Sequence, residues 1–146
     1  STWRAADLGD SYSGPVVGPD RVYVTGTVDK KREVVRGLDR GTGRELWTAE
    51  WDGSLTVPFF AARNGSWIRS TPALDGDTLY VGGIRDVLVA LDAATGKERW
   101  RVDFPKAADA PPPTFGFVSS PLVLADGVVV QAGGAVVKLD KATGKV

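Results

Sequence analysis

One eleven-residue pattern recurs along this chain and constrains its fold more than any other feature. Residues 90–100 read ALDAATGKERW, residues 37–47 read GLDRGTGRELW, and residues 138–146 begin the pattern again as KLDKATGKV. The aspartates of the three copies, Asp39, Asp92 and Asp140, are separated by 53 and 48 residues. A period near fifty residues indicates a repeat array, in which each unit completes its core by stacking on its neighbours.

Each repeat predicts four short antiparallel strands joined by turns. A small polar pair and a proline open the first strand, at 13–17, 70–74 and 119–123. Proline suits such a position because it has no N–H to donate to a ladder. After a turn come β-branched and aromatic runs at 21–24, 78–81 and 128–131, and then further apolar runs at 33–38, 86–91 and 135–139. The fourth strand follows an Asp-x-x-Thr-Gly turn and carries a tryptophan.

The turn and the tryptophan have distinct physical roles. The Asp carboxylate accepts hydrogen bonds from backbone N–H groups ahead of it, and the Gly supplies the positive φ that closes the turn. The tryptophan buries a large area and has an N–H that needs an acceptor, so we expect it to dock one sheet against the next. The predicted docking residues are Asp39, Thr42, Gly43, Trp47, Ala90, Asp92, Thr95, Gly96, Trp100, Asp140, Thr143 and Gly144.

These features predict an all-β fold, a partial β-propeller built from four-stranded antiparallel blades with tryptophan-docking motifs. Residues 1–146 form a single segment. We expect 1–10 to be the outer strand of a preceding blade, 11–52 a blade, 53–104 a blade with an inserted loop, and 105–146 an incomplete blade. Such a segment is expected to be an excerpt of a longer chain. Its end sheets would expose apolar faces, so we expect the isolated fragment to self-associate.

Composition excludes several classes of function. Lys plus Arg and Asp plus Glu are both 18, so the net charge is zero and does not favour a nucleic-acid partner. His and Cys are both absent, which excludes a Ser-His-Asp triad, imidazole and thiolate metal ligands, and cysteine nucleophiles. The sequence contains no run of eighteen or more apolar residues, so it predicts no membrane-spanning helix. The charged run at 29–33, DKKRE, predicts a solvated loop.

The pattern Ala-x-Asp-x-x-Thr-Gly-x-x-x-Trp resembles the tryptophan-docking motif of pyrroloquinoline-quinone-like (PQQ-like) propeller repeats. Residues 90–100 match it fully, whereas the first copy departs at Gly37 and the third at Lys138. That family includes quinoprotein dehydrogenases, which hold the quinone and Ca²⁺ on the propeller axis. It also includes non-catalytic scaffolds of the outer-membrane β-barrel assembly machinery and other bacterial envelope proteins.

The resemblance implies two functions. The first is a non-enzymatic scaffold or binding module of the bacterial cell envelope or periplasm, with no catalytic residues, cofactor or metal, and with a protein or small ligand on one propeller face. The alternative is a fragment of a PQQ-dependent quinoprotein alcohol or sugar dehydrogenase, which would use PQQ and calcium. The vicinal cysteine pair that is typical of the alcohol dehydrogenases is absent from this chain.

Two insertions between a Trp strand and the next proline strand, 52–70 and 104–118, suggest a ligand face. They should emerge beside the turns between second and third strands, opposite the Asp-x-x-Thr-Gly turns. Aromatic and arginine side chains supply contact area and planar hydrogen bonding for a ligand or partner. The candidates are Phe59, Phe60, Arg63, Trp67, Arg69, Phe115 and Phe117. The favoured alternative is that Phe59, Phe60 and Trp67 fold back and seal the space between blades.

Overall fold

The computed structural model describes residues 1–54, 65–108 and 116–146, which contain eleven strands and one short helix. The first sheet contains β1 (Val16–Val17), β2 (Arg21–Val28), β3 (Arg32–Asp39) and β4 (Glu45–Asp52). The second contains β5 (Ala73–Asp75), β6 (Thr78–Gly83), β7 (Val87–Asp92) and β8 (Glu98–Asp103). Helix α1 (Phe104–Ala108) follows, and the third sheet contains β9 (Leu122–Val123), β10 (Val128–Ala132) and β11 (Ala135–Leu139).

Every sheet is an antiparallel meander whose spatial order follows the chain. The all-β prediction of four-stranded blades is therefore confirmed. Residues 1–9, all within the described part of the chain, contain no strand, and Asp10 makes only an isolated bridge to Thr27. The outer strand predicted at 1–10 would pair with the third strand of its own blade. Residues 1–9 pair with no such strand in the described part of the chain.

A small residue faces the tryptophan of the repeated motif in each of the two outer strand pairs. Trp47 lies opposite Gly37, and Trp100 lies opposite Ala90. A Cβ at Gly37 would overlap the Trp47 indole, and the register of both strand pairs shifts at the next residue. The small residue at the start of the repeated motif therefore leaves room for the ring.

The core consists of two layers, one between each pair of adjacent sheets. β6 and β7 are buried at nearly every position because the second sheet has a neighbour on both faces. The first layer contains Tyr23, Val35, Val81 and Val89, and the second contains Tyr80, Leu88, Val128 and Val130. Alternate residues along β6 thus serve opposite layers, as the period of two requires.

Each tryptophan docks on the glycine of the next Asp-x-x-Thr-Gly turn. A Cβ at Gly96 would overlap the Trp47 ring, and the indole N–H of Trp47 donates to the Ala93 carbonyl at 3.1 Å. The same contacts join Trp100 to Gly144 and to the Lys141 carbonyl, at 2.8 Å. They also join Trp3 to Gly43 and to the Arg40 carbonyl, at 2.9 Å. One geometry thus links three successive turns to the tryptophan that precedes them.

The aspartate of each turn fixes the conformation of the backbone that the tryptophan contacts. Asp39 Oδ1 accepts hydrogen bonds from the backbone N–H groups of Gly41 and Thr42 and from the Thr42 hydroxyl, at 2.8–2.9 Å. These bonds, the hydroxyl bond first, lower the pKa of Asp39. At Asp92 the Arg99 guanidinium is the largest cause, and the pKa falls to about 2. The turn carboxylates are therefore ionised at neutral pH.

Replacing Gly96 with alanine tests the dock. Both Gly96 and Gly76 have positive φ, 75° and 56°, but a Cβ at Gly76 would meet nothing within 4 Å. Gly76→Ala should therefore cost only the backbone strain, about 1–2 kcal/mol. Gly96→Ala should cost about 1–3 kcal/mol more because its methyl group displaces the indole. Urea denaturation of both variants measures the difference, and equal losses would contradict the dock.

Candidate functional site

The two insertions enter and leave the sheets on one face. Arg32, at the start of β3, pairs with Asp52 at the end of β4, and Val87 pairs with Asp103 in the same way. The turns between second and third strands and the links to the next sheet therefore share one edge, opposite the docking turns. We call this edge the insertion face.

Ile68 fixes the end of the first insertion to the core. Its side chain is fully buried, its N–H donates to Thr27 Oγ1 at 2.9 Å, and its carbonyl accepts from the N–H of Tyr12 at 3.0 Å. Because extended backbone alternates sides, burying Ile68 turns Trp67 and Arg69 towards the other side. Both of these side chains are partly exposed.

Trp67 and Arg69 meet on the ring of Tyr12, and these three residues form what we call the aromatic cluster. The Tyr12 and Trp67 ring centroids are 5.2 Å apart, and the Arg69 guanidinium carbon lies 5.0 Å from the Tyr12 centroid. Arg69 also donates to the Gly65 carbonyl at 3.1 Å. Gly65 has a φ of 70°, and a Cβ there would lie 2.7 Å from Trp67 Nε1. The glycine turn thus lets the indole fold across the backbone.

Other predicted face residues lie elsewhere. Phe117 is only 1% exposed and belongs to the layer between the second and third sheets, where it packs against Gly82. It contributes to packing and offers no surface to a ligand in this conformation. Four further candidates, Phe59, Phe60, Arg63 and Phe115, lie outside the described residues. The cluster is therefore built from two predicted residues and from Tyr12, which no motif marks because it precedes the proline of the first strand.

The insertion face also contains a buried acid, Glu33, within the run that predicted a solvated loop. That prediction is wrong for Glu33, which has no exposed surface, whereas Asp29, Lys30 and Lys31 are exposed. Glu33 is the second residue of β3, so the strand's alternation turns its side chain towards the second sheet. Its charge suggested a solvent-facing position, but its hydrogen-bond partners are distant in sequence, one on β4 and one in the second sheet.

Both carboxylate oxygens of Glu33 accept hydrogen bonds, one within the first sheet and one from the second sheet. Oε1 accepts from the Trp51 indole N–H at 2.9 Å, and Oε2 accepts from the Ile84 N–H at 2.8 Å. A Cβ at Gly83 would lie 2.6 Å from Oε1, so the glycine leaves room for the pair. Burial raises the pKa of Glu33 to about 7, although both hydrogen bonds and the nearby Arg101 lower it.

The rest of the described surface limits the chemistry. In residues 1–54, 65–108 and 116–146, no three acidic side chains converge closely enough to hold a metal ion by themselves. No helix in the described part of the chain is long and apolar enough to cross a bilayer. The aromatic cluster offers two aromatic rings and one guanidinium, a set suited to contact and orientation rather than to proton transfer at neutral pH.

A family model described as outer membrane protein assembly factor BamB matches residues 31–146. The chain belongs to this family of PQQ-like propeller repeats. The resemblance inferred from the docking motif is therefore confirmed. The match includes all three Asp-x-x-Thr-Gly turns and both of the tryptophans that dock within the repeats, Trp47 and Trp100.

The sequence relatives of this PQQ-like chain include alcohol dehydrogenases, and the solved structures that share its fold include BamB. Quinohemoprotein alcohol dehydrogenase ADH IIB of Pseudomonas putida is 30% identical over 101 residues, which are 69% of this chain and 14% of that protein. The quinohemoprotein alcohol dehydrogenase of Comamonas testosteroni, at 25% identity, has a TM-score of 0.66 over 94% of this chain and 20% of its own. BamB of Moraxella catarrhalis, at 21%, scores 0.57 over 90% and 37%, which shows the fold alone. The chain spans a minor part of each.

We predict that Glu33 makes stability depend on pH. Its folded-state pKa of about 7 lies above its ordinary value of 4.5, so the folded chain binds a proton more tightly than the unfolded chain. The free energy of unfolding should therefore fall by about 2–3 kcal/mol as the pH rises from roughly 4.5 to 7 and beyond. Glu33→Gln should remove most of this slope, whereas Glu50→Gln, on the exposed side of β4, should keep it.

Urea titrations from pH 5 to 8 measure this slope. The turn aspartates have lowered pKa values and do not titrate in that window. The buried Asp86 also has a raised pKa and adds to the slope in the same direction, so the comparison between the wild type and Glu33→Gln isolates Glu33. Identical pH profiles for these two proteins would contradict the assignment.

Proposed function

We propose that this chain is part of a non-catalytic scaffold or binding module of the bacterial cell envelope or periplasm. It engages a protein or other ligand through the insertion face. The observation that carries the proposal is the aromatic cluster, in which Tyr12, Trp67 and Arg69 stack at the surface beside the buried Ile68. Membership of the family described as outer membrane protein assembly factor BamB supports the same conclusion.

The cluster has the composition and order of a binding surface. Tyrosine, tryptophan and arginine are the residues most enriched where protein interfaces concentrate their binding energy. Tyr12 is 49% exposed, which leaves about half of its surface for a partner. The Trp67 indole N–H is buried and meets no acceptor among the described residues. Because Trp67 and Arg69 already pack on Tyr12, a partner would bind side chains that are positioned in advance. Such positioning reduces the conformational entropy that is lost on binding.

The alternative function is a fragment of a PQQ-dependent quinoprotein alcohol or sugar dehydrogenase. The Pseudomonas putida relative favours it, because its name is that of an alcohol dehydrogenase. The described residues fit such a cofactor only in part. The aromatic cluster would suit a planar anion, but none of its three members is an acid that could hold the accompanying calcium ion beside it. No catalytic step therefore follows from these residues.

Site-specific photo-crosslinking tests the scaffold proposal. A benzophenone amino acid in place of Tyr12, in the full-length protein in its own bacterium, should give discrete adducts in the envelope fraction. The same amino acid in place of Glu50, which is exposed on β4, is the matched control. Arg69→Ala should reduce the Tyr12 adducts at least about tenfold, since loss of a central arginine contact costs about 2 kcal/mol or more. Equal adducts at both positions would contradict the proposal.

An activity assay tests the alternative. Full-length protein is incubated with PQQ and Ca²⁺, and alcohol-dependent reduction of an artificial dye is followed. A scaffold should give a rate no greater than cofactor alone. Sustained turnover that disappears when PQQ is omitted would overturn the non-catalytic proposal and establish the dehydrogenase function.

A further inference from the structure

Asp86 is a buried acid with a left-handed backbone, and both features are energetically unfavourable. Its side chain lies in the turn between β6 and β7, is only 1% exposed, and has its backbone at a φ of 61°. A left-handed backbone costs most residues other than glycine about 1–2 kcal/mol, and aspartate less, because its short side chain can hydrogen-bond locally. Burying a carboxylate costs still more unless its oxygens find partners. Such paired costs in one residue indicate a functional or binding role.

Asp86 occupies the same repeat position as Glu33, six residues before the aspartate of the docking turn. Both side chains reach the next sheet's turn between second and third strands. Glu33 Oε2 accepts from the Ile84 N–H at 2.8 Å, and Asp86 Oδ2 accepts from the Gly133 N–H at 3.0 Å. The fold therefore uses one carboxylate-to-turn contact twice.

The second oxygens of the two acids differ. Glu33 Oε1 accepts from the Trp51 indole, whereas Asp86 Oδ1 is buried and receives no hydrogen bond from any described residue. The difference has a simple origin, because Phe104 stands where the repeat places Trp51 and has no N–H in its ring. The second interface thus lacks the donor that completes the first.

A cavity of about 310 Å³ adjoins Asp86. Besides Asp86, it is lined by Gly116, Val118, Ser119, Gln131, Gly133 and Gly134. Ser119 Oγ and Gln131 Oε1 lie 3.3 Å apart. The side chains that line the cavity therefore offer a carboxylate, a hydroxyl and an amide carbonyl, which are hard oxygen donors. The volume also accommodates several water molecules as additional ligands.

The neighbouring charge that acts most strongly on Asp86 is negative. Asp103, at the end of β8, acts on Asp86 as a second negative charge, and its ion pair with the exposed Lys106 is long, at 3.5 Å. Burial and Asp103 both raise the pKa of Asp86, which is the response of a carboxylate that lacks a compensating positive charge.

We propose that Asp86, with Ser119 and Gln131 across the adjoining cavity, binds a hard metal cation such as Na⁺ or Ca²⁺. A Ca²⁺–oxygen contact of about 2.3–2.6 Å is shorter than an ordinary hydrogen bond, so an ion can lie closer to the Asp86 carboxylate than a water molecule does. The ion would join the turn between β6 and β7 to the turn between β10 and β11. With one carboxylate and neutral oxygens as ligands, the affinity is expected to be in the millimolar range.

Thermal unfolding of the full-length protein tests this site. The probes are NaCl, CaCl₂ and MgCl₂, each compared with tetramethylammonium chloride at equal ionic strength. A binding cation at about tenfold its dissociation constant should raise Tm by at least about 2 °C. Asp86→Asn should abolish that rise, and Gln131→Ala, at an exposed position, should reduce it. Asp126→Asn, an exposed carboxylate paired with Lys138, is the matched control and should keep the full rise.

The outcomes distinguish a cation-binding site at Asp86 from a buried acid that binds no ion. If Asp86 is merely tolerated, Asp86→Asn stabilises the protein equally in every salt and the wild type shows no preference among cations. That result, or a cation-dependent rise that persists in Asp86→Asn, would overturn the proposal. Calorimetric titration of CaCl₂ into the wild type and Gln131→Ala provides a second readout that does not depend on unfolding. Neither measurement depends on the aromatic cluster, so the proposed scaffold function is tested independently.

Discussion

The structure depends on an indole ring that lies flat on the glycine of the next repeat. A four-stranded sheet with two apolar faces cannot be stable alone, so each sheet must be held at a fixed position against its neighbour. The contact between Trp47 and Gly96 does this, because the missing side chain admits the ring and the Ala93 carbonyl receives its N–H. The turn aspartate keeps that carbonyl and glycine in place through bonds to the N–H groups of the turn.

A second tie lies at the opposite edge. Glu33 and Asp86 each hold the next sheet by a backbone N–H of its turn between second and third strands. The docks and these carboxylate contacts together fix both ends of each interface. The two ties differ in chemistry. The docks use neutral hydrogen bonds and ring packing, whereas the second contact uses buried acids with raised pKa values, so we expect stability to depend on pH through the insertion face.

Much of the fold was predictable because its signals are local. Alternating apolar runs, prolines at strand starts and Asp-x-x-Thr-Gly turns each act over a few residues, and every strand lies in a segment that these signals mark. The candidate site was predictable only in part. Trp67 and Arg69 both contact Tyr12, whereas Phe117 is buried against Gly82. No local signal in the sequence distinguishes an aromatic side chain that fills a gap from one that faces a ligand.

The sequence by itself determined the repeat, the order of its strands and the tryptophan as the residue that joins neighbouring sheets, since all of these follow from short-range spacing and from one motif written three times. Only the tertiary structure decided which charged residues are buried. A glutamate at the start of a strand after DKKR suggests solvent exposure, and its burial depends on Ile84, 51 residues further along the chain. The same holds for Asp86, whose second oxygen lacks a donor because Phe104, and not a tryptophan, completes that interface. Burial and partnership are properties of neighbouring sheets, and no short stretch of sequence contains both sides of an interface.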